Sequence, residues 1–333
     1  MIKGMPSAIP QKRAAFRRFV IFFNPGGTHA TAVRRRIEEI KRIAGEREVT
    51  VIETSPKGGN ATRTLLEKHA DILGEETLLG IAAGDGTTNQ IIEALLTAKI
   101  PAKARRTPIL PLWGGNANDL AHMLNGPAYR ARLKDILANG KVVPVHPLQC
   151  DVTNRKNQKQ TYIAACYASL GASGFVATRL NDQTYRKNVF HKLPGARALH
   201  DLFVVIGALM EAPSFAVKEH DGVRSIYELS FHNGSRMAKL DRLPTKLTDE
   251  MFYISRFENK KLLSVIPRMI EAARKGVSQN VLRNYASFTV QEKSWAQFDG
   301  EPVELQANTK VQIQLSPQPF YALTTTLDKP DKS

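Results

Sequence analysis

The first 145 residues alternate between two hydrophobic periods, and nearly every switch falls on Gly, Asn or Thr. "RRFVIFF" (17–23) is a compact β-branched and aromatic run that stops at "NPGG". "TAVRRRIEEIKRIAG" follows with Val33, Ile37, Ile40 and Ala44 on one helical face and Gly45 as terminator. "EVTVIE" (48–53), "TLLGIAA" (77–83) and "TPILPL" (107–112) read as further strands. "NATRTLLEKHADIL" (60–73), "TTNQIIEALLTAK" and "NANDLAHML" read as the helices between and after them. Strand and helix in strict alternation predict a parallel sheet with helices packed over it.

Beyond about residue 146 the pattern changes. "TYIAACYASL" (161–170), "SIYELSFHN" (225–233), "MFYISRF" (251–257), "ASFTVQEK" (286–293) and "KVQIQL" (310–315) read as strands. Several alternate apolar and polar residues, as half-buried antiparallel strands do. Helical stretches near 195–212 and 260–275 interrupt them, and "DLFVVIGALMEAP" (201–213) reads as a buried helix. The expected fold class is α/β: an N-terminal parallel-sheet domain followed by a mostly antiparallel β domain. The cleft between two such domains is the default place for a ligand.

Three of the first-half loops share one position, after a strand and before a helix: "NPGGTHA" (24–30), "GDGTTN" (84–89) and "WGGNANDLA" (113–121). In a parallel sheet such loops gather at the carboxyl edge, where ligands bind. Their backbone N–H groups, with helix N-termini, make phosphate sites; the bland reading of any one of them is a tight βα turn. Asp85 is an odd charge in an anion-binding loop. It suits a magnesium ligand, a proton-transfer group, or an N-cap of the following helix, a task Thr87 or Thr88 would otherwise take.

The net charge is +16, with Lys3, Lys12, Arg13, Arg17 and Arg18 in an acid-free start. Such a surface attracts nucleic acid, anionic membrane or phosphorylated ligands. No zinc knuckle, RNP-like motif or basic heptad region supports a nucleic-acid binder. No run approaches the roughly 20 apolar residues of a membrane span, and the N-terminus lacks a signal peptide's apolar core. Cys150 and Cys166 lack metal-ligand spacing and read as core or bystander thiols of a reducing compartment.

These loops resemble the signatures of the diacylglycerol kinase catalytic domain family, which includes bacterial lipid kinases, sphingosine kinases and ceramide kinases. "GDGTTNQII" resembles its GGDGT-x-N-E loop, "NPGG" its first motif, and "LPLWGGNANDLA" its L-P-x-G-T-x-N-D-[FL]-A motif. "TSPKGGNA" (54–61), "ASLGASGFVA" (168–177), "NG" (233–234) and "DEMFYISRF" (249–257) are similar to later segments, and "FDGEPVEL" (298–305) to its D-G-E-P motif. The likeness keeps its order over residues 18–325.

The resemblance implies an ATP-dependent lipid kinase using ATP and Mg²⁺. Its nucleotide domain would be 17–145, with about 316–328 returning to it, after a basic extension over 1–16; its lipid domain would be 146–315. Asn24, Pro25, Gly26 and Gly27 would shape the first phosphate loop. Thr54, Gly84, Asp85, Gly86 and Thr87 would bind ATP, with magnesium reaching Asp85. Asn116 would stand at the family's threonine position, and Asn118 and Asp119 would brace that loop. Glu301 would be the general base, against the plain reading of a hairpin glutamate after Asp-Gly. Asp249 would be the survivor of a second-domain metal site. Ala83, Gln90 and Asn116 depart from the family pattern. The implied partners are a lipid substrate, an anionic membrane surface and, as in many members, a second copy, with no specific nucleic acid; the implied location is cytoplasmic and peripherally membrane-associated. The other readings are an NAD kinase-like soluble kinase, a catalytically degenerate nucleotide-binding member and, from another class, a nucleic-acid binder.

Overall fold

Phe19, Ile21 and Phe23 alternate with Val20 and Phe22 across one strand, and all five are buried. A strand buried on both faces needs helices on both sides, the arrangement of a parallel βα sheet. The computed structural model describes residues 16–26, 29–54, 60–115, 118–126, 128–182, 196–237, 240–241, 247, 249–258 and 281–325. The chain divides into two units, Met1–His146 with Pro317–Ser333, and Pro147–Ser316.

The first unit runs β1 (Arg18–Phe23), α1 (Ala30–Ala44), β2 (Glu48–Glu53), α2 (Asn60–Lys68), β3 (Thr77–Ala83), α3 (Asp85–Thr97), α4 (Ala102–Arg105), β4 (Pro108–Trp113), α5 (Asp119–Asn125), α6 (Leu133–Asn139) and β5 (Lys141–Val145). Its sheet has the order β2-β1-β3-β4, parallel throughout. The C-terminal strand Phe320–Thr324 then lies parallel to β4 and antiparallel to β5. One face of the sheet packs on Val33, Ile37, Ile40 and Ala44 of α1, the stripe read from the sequence, and on Leu133 and Ile136 of α6. The expected helix over 60–73 ends at Lys68, and a 3₁₀ turn covers Ala70–Ile72.

The second unit is a sandwich of two antiparallel sheets. Its elements are β6 (Leu148–Thr153), β7 (Lys159–Ala164), β8 (Tyr167–Gly171), α7 (Ala172–Asn181), α8 (Ala196–Glu211), β9 (Phe215–Glu219), β10 (Gly222–Ile226), β11 (Glu228–His232), β12 (Arg236–Met237), β13 (Leu240–Asp241), β14 (Phe252–Phe257), β15 (Val281–Arg283), β16 (Tyr285–Val290), β17 (Ser294–Phe298), β18 (Glu301–Leu305) and β19 (Thr309–Leu315). The last strand, β20 (Phe320–Thr324), belongs to the sheet of the first unit. One sheet of the sandwich runs β10-β9-β16-β19-β6-β7, the other β15-β14-β11-β8-β17-β18. Phe215, Val217, Phe288, Val311 and Ile313 from the first meet Leu170, Leu229, Phe231, Phe252 and Phe298 from the second. Each such side chain contributes about 1.5–3 kcal/mol on burial.

The structure corrects four expectations in this unit. "TYIAACYASL" is two strands: β7 and β8 belong to different sheets, and the chain crosses at Ala165–Cys166. "SIYELSFHN" likewise divides at Tyr227 between β10 and β11. An unbroken apolar run looks the same whether it stays in one sheet or passes between two. "GASGFVA" opens a helix, α7, which the sequence reading did not separate from the strand before it. The buried helix expected at 201–213 turns an apolar face outward, with Phe203 64% and Met210 63% exposed. Among the described residues no helix is long and apolar enough to cross a membrane. The stretch 260–275 lies outside the described residues, as does most of the N-terminal extension. Cys150 and Cys166 are both buried.

Candidate active site

Strands β1, β3 and β4 are neighbours, so the loops that leave their carboxyl ends lie side by side. Asn24 follows β1; its N–H donates to the Ala82 carbonyl at 3.2 Å, and its side-chain oxygen accepts from Gly26 N–H at 3.0 Å. This closes a small turn at Pro25. Thr54 follows β2 and is buried, its N–H and hydroxyl both donating to the Phe23 carbonyl. Gly27 and Asn116 lie outside the described residues.

Gly84 is the extended N-cap of α3, and no side chain caps that helix. The Thr88 hydroxyl instead turns back to the Gly84 carbonyl at 3.0 Å, so the expected threonine cap is not made. Gly86 and Thr87 stand in the first turn, where N–H groups have no acceptor upstream in the helix. Asp85 does not cap α3 either. Its carboxylate crosses to the next loop and accepts Asn118 N–H at 2.8 Å and Asp119 N–H at 3.0 Å, at the start of α5.

Asn118 sits in the left-handed region at φ 54. Its side-chain oxygen accepts from Gly114 N–H at 3.2 Å and Gly115 N–H at 3.0 Å, while its amide donates to the Gly115 carbonyl at 2.7 Å. The two glycine loops touch backbone to backbone. A Cβ on Gly114 would lie 2.7 Å from the Ala83 main chain, and one on Gly115 2.6 Å from the Gly84 Cα. Gly114→Ala is therefore expected to force β3 and β4 apart at the loop end, costing about 1–3 kcal/mol in urea unfolding. Unchanged stability would mean the loops separate freely.

Burial pushes the Asp85 carboxyl up to about 6, helped by the neighbouring negative charge of Asp119 and opposed by the backbone N–H groups of Asn118 and Asp119. A carboxylate with a raised pKa in a glycine-lined, amide-rich loop pair gains from a positive charge placed beside it. Trp113 adds a feature absent from the sequence reading. His29 stacks on its ring with centroids 4.5 Å apart, and the Arg130 guanidinium lies 4.0 Å from the ring centre. The stack joins the first loop to the third, and only "WGG" hinted at it.

Glu301 and Asp249 belong to the second unit. Glu301 is exposed and opens β18, paired with Phe298 across a two-residue turn. Both turn residues, Asp299 (φ 47) and Gly300 (φ 87), have positive φ, as a tight hairpin turn demands. Asp299 is buried and carries more than a turn. Its carboxylate accepts N–H groups from Ala165 at 2.5 Å, Cys166 at 3.1 Å and Tyr167 at 2.9 Å, where the chain crosses between sheets. Asn233 holds the same crossing from the other side, its side-chain amide donating to the Ala165 carbonyl and its N–H to that of Cys166. The sequence marks "DG" as a turn and "NG" as a family-like motif, but carries no local signal that both side chains converge on one backbone segment. Asp249 is half-buried just before β14, and among the described residues no group of three His, Cys, Asp or Glu side chains could hold a metal.

A parallel βα sheet with three glycine-rich loops at one edge, followed by an antiparallel sandwich, is the fold of diacylglycerol kinase and NADH kinase structures. Residues 18–150 match the model of the diacylglycerol kinase catalytic domain. A protein of Bacillus anthracis str. Sterne assigned as a diacylglycerol kinase superposes with TM-score 0.64 at 15% identity, covering 93% of this chain and 98% of that one. A diacylglycerol kinase structure from the same organism gives 0.60 at 13% identity, over 93% and 97%. Yeast NADH kinase in complex with NADH gives 0.53 at 10% identity, over 93% and 84%. No curated protein matches the chain in sequence.

Proposed function

We propose that this protein is an ATP-dependent lipid kinase, transferring the γ-phosphate of ATP to a hydroxyl of a diacylglycerol, ceramide or sphingoid-type acceptor. The observation that carries the reading is the Asp85 carboxylate bound to the first amides of α5 between two glycine loops in backbone contact. Phosphoryl transfer asks a protein mainly for positioning and for charge stabilisation, and this loop pair is built for both.

The residues fit a nucleotide with magnesium. The amides of Gly86 and Thr87 suit phosphate oxygens, with Asn24, Gly26 and Gly84 shaping the loops around them. Mg²⁺ usually takes one or two carboxylates plus phosphate oxygens, so Asp85 suffices on the protein side. Bound there, magnesium would neutralise charge developing on the transferred group. Glu301 would accept the proton of the lipid hydroxyl as that hydroxyl oxygen bonds to the γ-phosphorus, the bond to the β,γ-bridging oxygen breaks and ADP leaves. The net charge of +16 holds the protein to an anionic membrane surface, each basic residue near it adding about 1 kcal/mol.

The test is transfer from labelled ATP with Mg²⁺ to diacylglycerol, ceramide, sphingosine and monoacylglycerol in mixed micelles, with NAD as a soluble acceptor. Label is expected in one lipid, and Glu301→Gln should lower kcat about 10²–10⁴-fold with nucleotide affinity kept. Labelled NADP would favour the soluble reading that the likeness to yeast NADH kinase supports. A Glu301→Gln enzyme at full rate would remove Glu301 from the chemistry.

A further inference from the structure

The helix α8 contains the unbroken apolar run "LFVVIGALM" over 202–210. One side of it is occupied. Leu209 and Ala212 pack with Ala172, Phe175 and Tyr227, the Tyr227 hydroxyl donates to the Leu209 carbonyl, and Arg179 of α7 pairs with Glu211 at 2.7 Å. The other side is not. Phe203 (64%), Ile206 (38%) and Met210 (63%) are exposed, and a Cβ built on Gly207 meets nothing within 4 Å. Positions 203, 206, 207 and 210 follow the i, i+3, i+4, i+7 spacing of a single helix face. A helix apolar all round is at home in a core or in lipid, and this face is in neither.

We infer that the Phe203–Met210 face of α8 is a docking surface for an anionic lipid bilayer, sinking into the boundary between headgroups and acyl chains. Two features select a membrane over a protein. The face runs about 11 Å along the helix at about 1.5 Å per residue. At roughly 10 Å wide it offers on the order of 100–200 Å², well below the ~800 Å² per partner of a stable protein interface. Lipid needs no such area, because each side chain inserts independently and charge supplies the rest. The charge is at hand in the sequence leading into the helix: between Asp182 and Asp201 stand Arg186, Lys187, Lys192 and Arg197 with no acid. A basic, acid-free run that precedes an apolar helix in sequence is the composition of an interfacial anchor. This refines the membrane contact proposed above and rests on it for its biological sense, but it stands or falls on binding alone.

The experiment is vesicle co-sedimentation of the full chain without nucleotide, comparing neutral phosphatidylcholine with phosphatidylcholine containing anionic phosphatidylglycerol. Wild type should bind the anionic vesicles, and Phe203→Ser/Met210→Ser should bind at least tenfold more weakly with unchanged circular dichroism. In Phe203→Trp, the added fluorescence should shift to the blue and be quenched by brominated acyl chains. Unchanged binding of the double variant, or an introduced indole unaffected by brominated lipid, overturns the assignment. A concentration-dependent dimer abolished by the double variant would give the face to a second copy, and overturn it as well. Phosphorylation of a water-soluble short-chain lipid, measured in parallel, reports on the kinase reading: a double variant that keeps this rate but loses vesicles separates the two.

Discussion

Asp85→Ala is expected to lower phosphoryl transfer by about 10²–10³-fold, the cost of removing one preorganised charged group from such a site. The effect has two physical parts. On the proposed reading the carboxylate would meet the magnesium of the nucleotide, and it is also the acceptor for the amides of Asn118 and Asp119. Asp85→Asn separates them: a neutral amide oxygen can keep one of those hydrogen bonds, so it should preserve more of the fold than of the rate. The pH dependence carries a sign of its own. The folded pKa of about 6 lies above the ordinary 3.8, so the folded state holds a proton that the unfolded chain releases earlier. Stability from this group is full below pH 3.8 and is lost as pH rises to about 6, on the order of 3 kcal/mol in all. Asp85→Asn lacks this loss. Urea unfolding of both proteins from pH 4 to 7 should show the variant gaining on wild type up to about pH 6 and then running level. A constant difference across that range would contradict the buried, proton-holding carboxylate.

Asp299→Ala is expected to destabilise the second unit by about 4–10 kcal/mol. Three buried N–H groups, of Ala165, Cys166 and Tyr167, lose a charged acceptor, at about 1–3 kcal/mol each. Alanine at φ 47 adds left-handed strain of roughly 1 kcal/mol. Asp299→Asn should fall between, since asparagine tolerates that backbone and keeps one acceptor oxygen. Urea unfolding followed by the fluorescence of Trp295, on the strand that runs into Asp299, measures it. A wild-type midpoint for Asp299→Ala would show the crossing held by packing alone. Because Glu301 is two residues on, activity should fall with stability in Asp299→Ala and be partly rescued in Asp299→Asn.

The legibility of this protein tracks how local each determinant is. The strand β1 ended where "NPGG" said it would, and α1 buried the four residues its period picked out, because both are set by neighbours within a turn or two. The glycine loops were visible as composition, and their place at one sheet edge followed from the parallel topology. Asp85 shows the limit. Position in the chain suggested a cap for its own helix, a magnesium ligand or a proton-transfer group. The cap is not made, and the bonds Asp85 makes run to the start of α5, more than thirty residues away.

Periodicity and glycine placement in the sequence alone determined that the chain has a parallel α/β half followed by an antiparallel β half, and which loops hold the candidate chemistry. Only the tertiary structure decided that one apolar run is two strands in two sheets, that Asp299 and Asn233 tie down the crossing between them, and that α8 shows solvent an apolar face. The physical reason is common to all three. Hydrophobic patterning states that a residue prefers burial, but what buries it, or leaves it bare, is set by segments far away in the chain.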